Sequence, residues 1–403
     1  MPGGTHVRHS ASFMPKVKLG LEVLLSQKIN LLKGRTVGLI VNPTSVTSRL
    51  DHAIDLLHAR REFKLAALFG PEHGARGEVQ DQIEVGPYTD AATGLPVYSL
   101  YGETRVPTEE MVRGLDTLVF DMQDVGARYY TFIYTMAYAM QTAARYDKQV
   151  VVLDRPNPLG GARADGNVLD LNFRSFVGLY PLAVRHGMTV AELALLFNSE
   201  FGINCELVVV PMRGWTRGLW FDQTGLPWVI PSPNMPTLET AVVYPGMCLI
   251  EGTNLSEGRG TTKPFEFVGA PWIEPRAFAA ALAEEDLPGV RFRPIYFQPT
   301  FHKWKDQLCG GVQLHVTQRD RYKSFLTAIA VIRAARHMYP KDFQWRQPPY
   351  EYEYHKLPID ILCGNDLVRR QIEKNEPLAV IEKSWREGLN AFRTLRRKYL
   401  LYQ

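Results

Sequence analysis

Short apolar runs of strand length recur through the first half of the chain, and each breaks into turn residues before a stretch with helical spacing begins. Arg35 to Val41 (RTVGLIV), Leu65 to Phe69, Leu95 to Leu100 (LPVYSL), Thr117 to Phe120, Gln149 to Leu153 (QVVVL) and Glu206 to Val210 (ELVVV) predict strands. Between them the spacing predicts helices. One covers Asp51 to Arg61, opened by a capping box of Ser48 and Asp51, and a second is introduced by Pro107-Thr108 and runs through Leu115. A third covers Thr131 to about Tyr146, with Phe132, Met136, Met140 and Ala143 on one stripe, and a fourth follows the capping box of Thr189 and Glu192. Strands this uniformly apolar, alternating with helices, predict an α/β fold: a doubly wound, mostly parallel sheet with helices on both faces. Ligands in such sheets bind outside the carboxyl ends of the strands, where Asn42, Glu72, Asp121, Asp124 and Asp154 fall.

From about Trp215 the pattern changes. Pro, Gly and Trp become frequent through GLPWVIPSPNMPT, and the long polar stretch Ile250 to Glu266 gathers Glu251, Asn254, Glu257, Arg259 and Thr261 in one loop. Strands are predicted at Val290 to Phe297 and Gly311 to Val316, and helices at Tyr322 to about His337 and Pro377 to Leu395. The reading is a parallel-sheet domain over 19–246 followed by a smaller α+β domain over 247–403.

Composition narrows the function classes. A net charge of +4 on 403 residues, with no basic run interleaved with aromatics, gives no support to a nucleic-acid partner. The cysteines Cys205, Cys248, Cys309 and Cys363 form no CxxC pair, which argues against a zinc knuckle or a dithiol redox motif. No strand is followed by GxGxxG or GxxxxGK[ST], so neither a dinucleotide nor a nucleoside triphosphate is expected, and no cofactor is assigned. Residues 1–20 carry no apolar signal core, and no apolar run is long enough for a membrane span. As written the chain is expected in the cytoplasm without a membrane partner; a true start at Met14 or a missing leader would make it a secreted protein.

The candidate chemistry begins at Gly70 to Glu78 (GPEHGARGE), where a buried strand exits into Glu72, His73, Arg76 and Glu78 between glycines. GxSxG is absent and Ser232 has no adjacent base, so serine-hydrolase chemistry has little support. His73, Asp121, Asp124 and Asp154 are possible hard metal ligands, but HxH, HExxH and DxDxDG spacings are all missing. The inventory fits glycoside hydrolysis, which needs a protonated acid at the leaving oxygen, commonly a second carboxylate, and donors for sugar hydroxyls. Glu72 is predicted as the general acid, because desolvation at the strand exit would keep it protonated; its alternative is a carboxylate pairing Arg76. Asp121, Asp124, Arg128 and Tyr129 are predicted to line the cleft, one aspartate orienting His73 or the attacking water.

Five stretches carry a family resemblance: GPEHGARGE, DMQDVGARYYTFIYTM (Asp121 to Met136), VVVLDRPNPLGG (Val150 to Gly161), LPWVIPSPNMPT (Leu226 to Thr237) and EGTNLSEGRGTTKPFE (Glu251 to Glu266). In sequence and order they closely resemble the NamZ-type exo-β-N-acetylmuramidases. The resemblance implies a Rossmann-like N-terminal domain, an auxiliary C-terminal domain and a cleft between them. It also implies release of N-acetylmuramic acid (MurNAc) from the non-reducing ends of peptidoglycan fragments such as MurNAc-GlcNAc. Glu72, His73, Asp121 and Asp124 are then expected at the reacting bond. Asn42, Arg76, Arg128, Tyr129, Asp154, Arg155, Asn157, Asn234, Glu251, Asn254, Glu257 and Arg259 are expected to bind sugar. Arg259 or Arg155 is expected to read the lactyl carboxylate that distinguishes MurNAc from GlcNAc, with Arg259 favoured because glycines flank it. A muropeptide-binding protein without turnover and a metal-dependent hydrolase remain as alternatives. Inverting, retaining and substrate-assisted mechanisms are all left open.

Overall fold

The computed structural model describes residues 17–72, 74–77, 88–102 and 104–403. In chain order the first half supplies β1 (Thr36–Val41), β2 (Lys64–Gly70), β3 (Tyr88–Thr89), β4 (Pro96–Ser99), β5 (Thr117–Asp121), β6 (Gln149–Leu153), β7 (Asp165–Val168), β8 (Ala183–Arg185) and β9 (Glu206–Val210). Seven of these make one sheet in the order β3-β4-β2-β1-β5-β6-β9, while β7 and β8 pair separately. The sheet is parallel from β4 to β9, and the short β3 runs antiparallel at its edge.

Side-chain alternation decides how the sheet is covered. Val119, Val151 and Leu153 face a core shared with Leu21, Leu24, Ile54 and Leu57, whereas Leu118, Phe120, Val150 and Val152 face the helices Phe132–Arg145 and Val190–Glu200. Both faces are therefore buried, as the apolar runs require. The Thr189 capping box forms as expected: Glu192 Oε2 accepts from Thr189 N at 3.0 Å, and Thr189 Oγ1 accepts from Glu192 N at 3.4 Å. The Ser48 box does not. Ser48 Oγ donates instead to Glu22 at 2.6 Å, and the helix starts later, at Ala53–His58, capped by His52 Nδ1 accepting from Ile54 N. A carboxylate from the short helix Gly20–Val23 has claimed the expected cap.

The second unit is built on β10 (Phe267–Ala270), β11 (Val290–Phe297) and β12 (Cys309–Val316), an antiparallel sheet ordered β10-β12-β11, with helices Pro275–Glu284 and Ser324–Met338. The helix expected over 377–395 is two, Leu378–Ser384 and Arg386–Arg396, broken at Trp385, whose buried ring lies edge-on to Phe325. One apolar core runs through both units. Helix Leu238–Met247 crosses Ser324–Met338 so closely that a Cβ on Gly246 would lie 1.8 Å from Ser324 O. The chain's end returns to the parallel sheet: Arg396 donates to carbonyls of Gly161, Ala162, His186 and Gly187, and Tyr402 donates to Asp154.

Candidate active site

Strand β2 ends at Gly70, where a Cβ would meet the returning backbone of Ala75 at 2.8 Å, so only glycine permits the turn that carries Glu72. Glu72 lines a cleft. The connection after β5 adds Tyr129 to Phe132, the segment before helix Leu238–Met247 adds Ser232, Asn234 and Met235, and the second unit adds Glu251, Arg259, Phe265, Tyr350 and Glu351. Tyr101, just past β4, hydrogen-bonds Glu72; burial, with the nearby carboxylates of Glu72 and Glu351, pushes its phenol well above the ordinary range and keeps it a donor.

The walls are aromatic. Tyr244 meets Tyr129, Tyr130 and Phe265 edge-on, with ring centres 6.1, 5.8 and 4.9 Å apart. Tyr129 spends its hydroxyl on Pro245 O. Such walls suit the apolar faces of a pyranose and its acetyl methyl, while Glu72, Asn234 and Arg259 supply polar groups among them.

Arg259 is the cation lining this cleft among the described residues, against the acids Glu72, Glu251 and Glu351. Gly258 and Gly260 both hold positive φ, 78° and 77°, and a Cβ on Gly260 would lie 2.7 Å from Phe301 N. The arginine's backbone is thus fixed on both sides. Its Nη2 donates to Glu251 Oε1 at 3.0 Å, its Nε lies 3.4 Å from Glu257 Oε1, and its guanidinium sits 5.3 Å from the centre of the Phe265 ring. Glu251 also accepts from the Tyr350 hydroxyl at 2.7 Å. Burial pushes the Glu257 carboxyl up, but Lys303, His302 and Arg259 outweigh it and hold the group well below the usual carboxylate range.

Of the residues singled out from sequence, Glu72, Tyr129, Asn234, Glu251 and Arg259 therefore share one cleft, and Glu257 stands behind Arg259. His73 lies outside the described residues. The others are placed elsewhere, each with a partner. Asp121 is fully buried in a two-pronged ion pair with Arg155, at 2.6 and 2.9 Å, so neither group faces Glu72's cleft. Asp124 accepts from Gly126 N at 2.7 Å and faces His186 Nε2 at 3.1 Å. Arg128, expected to hold sugar, is fully buried and donates to carbonyls of Asn167, Leu182 and Leu362. Arg76 pins its loop to Asp55 and Asp90. Asp154 caps helix Val190–Glu200, Asn157 bridges Met188 and Leu159, Asn42 accepts from Thr44, and Asn254 holds Asp342 and Gln344. Among the described residues no three His, Cys, Asp or Glu side chains gather as metal ligands would.

Sequence reasoning missed Tyr101, Tyr130, Tyr244, Tyr350 and Glu351. The last two sit in PPYEYEY (348–354), where alternating tyrosine and glutamate after two prolines is an unusual local pattern that was available to be read.

Fold and cleft together define a two-unit α/β protein with a candidate ligand cleft between a parallel sheet and a second, smaller unit, lined by the acid, amide and aromatic groups that suit a saccharide. The chain belongs to the NamZ family of exo-β-N-acetylmuramidases: the family's N-terminal model matches 37–239 and its C-terminal model matches 242–402. It is 49% identical over 388 residues to the peptidoglycan β-N-acetylmuramidase NamZ of Bacillus subtilis (strain 168), covering 96% of this chain and 92% of that protein. Two crystal structures of DUF1343 family proteins from Bacteroides fragilis NCTC 9343 share the fold. One has a TM-score of 0.88 at 37% identity, covering 97% of this chain and all of the other; the second has 0.77 at 30%, covering 96% and 99%.

Proposed function

We infer that this protein is an exo-acting β-N-acetylmuramidase, a glycoside hydrolase that releases MurNAc from the non-reducing end of peptidoglycan-derived saccharides such as MurNAc-GlcNAc. The observation that carries this reading is the cleft itself. Within a chain matched by the family along both units, Glu72 from the sheet and Arg259 from the second unit line the same space.

Glu72 is the general acid in this reading and delivers its proton to the glycosidic oxygen as the bond to the departing sugar breaks. Tyr101 fixes the carboxyl's orientation. Asp121 and Asp124, each already engaged and outside the cleft lining, are not used. The second group at the anomeric carbon is then a cleft carboxylate, Glu251 or Glu351, or the substrate's own N-acetyl oxygen. Aromatic walls hold the ring and acetyl group, and Arg259 pairs with the lactyl carboxylate.

Incubation with MurNAc-GlcNAc and chromatography of the products tests the activity: free MurNAc is expected, whereas a thermal shift without release would mark a binding protein. Glu72→Gln is expected to lose roughly 10²- to 10⁴-fold on the disaccharide and much less on an aryl MurNAc glycoside whose leaving group needs no proton. Unchanged turnover on the disaccharide would remove Glu72 from the role.

A further inference from the structure

The β11–β12 connection lies outside the cleft lining and carries no motif, yet it is bound at several points to the loop that bears Glu251, Glu257 and Arg259. Thr300 N donates to Gly260 O at 2.9 Å, Trp304 Nε1 donates to Asn254 O at 2.6 Å, and His302 Nδ1 lies 3.3 Å from Glu257. Lys303 is the centre of this contact. Its ammonium has three hydrogens, and the loop supplies three acceptors: Ile250 O at 3.0 Å, Leu255 O at 3.0 Å and Glu257 Oε2 at 2.9 Å. The connection holds His302, Trp304 and Asp306 at φ of 67°, 58° and 60°, a left-handed conformation that non-glycine residues keep only where surrounding contacts fix it.

Charge explains what so much fixing is for. Arg259 faces two carboxylates, Glu251 and Glu257, and on its own its charge would be more than cancelled before a substrate carboxylate arrived. Lys303 supplies the balancing charge to Glu257. We propose that Lys303 is a positioning residue for substrate selection: by holding Glu257 and offsetting its charge it keeps Arg259 oriented and lessens the negative charge beside it, so that the arginine, still paired with Glu251, can also meet the lactyl carboxylate of the muramic acid substrate. This inference rests on the reading of Arg259 as the group that meets that carboxylate.

The test uses two substrates, an aryl β-glycoside of MurNAc and the same glycoside with its lactyl carboxylate converted to the neutral carboxamide, and follows the ratio of their kcat/KM values. Lys303→Met is expected to lower that ratio about 2- to 30-fold, the range over which residues outside a site tune it, through KM on the charged substrate and with little change on the amide. Arg259→Lys should lower the ratio too, and the double variant should add nothing further. If Arg259→Lys keeps the full ratio, Arg259 is not the reader and the underlying assignment falls. If Arg259→Lys loses the ratio while Lys303→Met keeps it, or if Lys303→Met lowers both substrates equally, Arg259 stands and the role of Lys303 falls. Should Lys303→Met fail to fold, Glu257→Gln/Lys303→Met removes the two charges together. Its ratio is expected close to that of the unsubstituted protein, and a ratio as low as that of Arg259→Lys would overturn the charge-balance argument.

Discussion

Replacing Asp154 by asparagine gives a stability change whose size and pH dependence follow from the structure. The carboxylate is fully buried, with Oδ1 accepting from Arg155 N and Ala191 N, both at 3.0 Å, and Oδ2 accepting from Thr189 Oγ1 at 2.8 Å and from Tyr402. Burial, reinforced by Glu192, outweighs these donors and pushes the carboxyl from 3.8 up to about 7. Between those two values the unfolded chain has lost this proton while the folded protein keeps it. Stability is therefore greatest below about pH 4, falls as pH rises toward 7, and is flat above it. At about 1.4 kcal/mol per pH unit the full change is at most about 4 kcal/mol. Asparagine is nearly isosteric: its oxygen can accept both N–H groups, and its amide can donate to the Thr189 and Tyr402 hydroxyls once these rotate. Asp154→Asn should therefore fold, keep disaccharide cleavage within a fewfold, and lack the fall. Urea unfolding of both proteins from pH 4.5 to 8 checks this. The difference in unfolding free energy should shift by about 2 to 4 kcal/mol in favour of the asparagine variant as pH rises. A difference that stays constant across the range, or a loss of cleavage with stability untouched, would refute the reasoning and return Asp154 to the list of sugar contacts.

Two further substitutions separate structural from substrate-facing roles. Arg128→Met leaves three buried carbonyls without their donor, so it should destabilise by about 3 to 5 kcal/mol while leaving the MurNAc-to-amide ratio alone; urea unfolding and the two-substrate assay read the two effects. Gly246→Ala places a Cβ 1.8 Å from Ser324 O at the helix crossing and should lower the thermal midpoint by roughly 1 to 4 °C, since overpacking of this kind costs about 1 to 3 kcal/mol, which calorimetry would show.

How far the sequence could be read depended on how local the deciding contact is. The strands were legible because an apolar run such as Gln149 to Leu153 is a property of five neighbouring residues, and each side of the sheet buries its own set. The loop from Glu251 to Arg259 was legible for the same reason, since its ion pair spans eight residues. Asp121, Arg128 and Asp154 were not. They sit where substrate-binding residues of parallel sheets usually sit, but their partners are 34, 234 and 248 residues away. An aspartate that caps a distant helix and one that meets a substrate look alike until the chain is folded. The broken helix at Trp385 is a related case, because helical spacing continues through the break and only the tertiary position of the ring ends it.

The sheet order also explains why the cleft is where it is. From β1 the chain builds outward through β2 and β4 on one side and through β5, β6 and β9 on the other, so the topological switch lies between β1 and β5. Doubly wound folds commonly bind ligands in that crevice, often with a glycine-rich turn cradling phosphate. Here the position is occupied by the protein's own side chains. Arg155 clasps Asp121 and donates to Val46 O, Ser45 donates to Asp121 O, and Thr44 accepts from Gln123 N while bonding Asn42. Most polar groups there serve one another, although Asn42 Nδ2 is buried without a hydrogen-bond partner among the described residues. The candidate cleft opens instead one strand further out, where Glu72 leaves β2 beneath the second unit. The acid then belongs to the sheet and the arginine to the other unit, so the geometry of the site depends on the contacts that hold the two together. That accounts for buried arginines such as Arg128 and Arg396 being spent on carbonyls across the junction, at a cost in desolvation, while Arg259 is left to line the cleft.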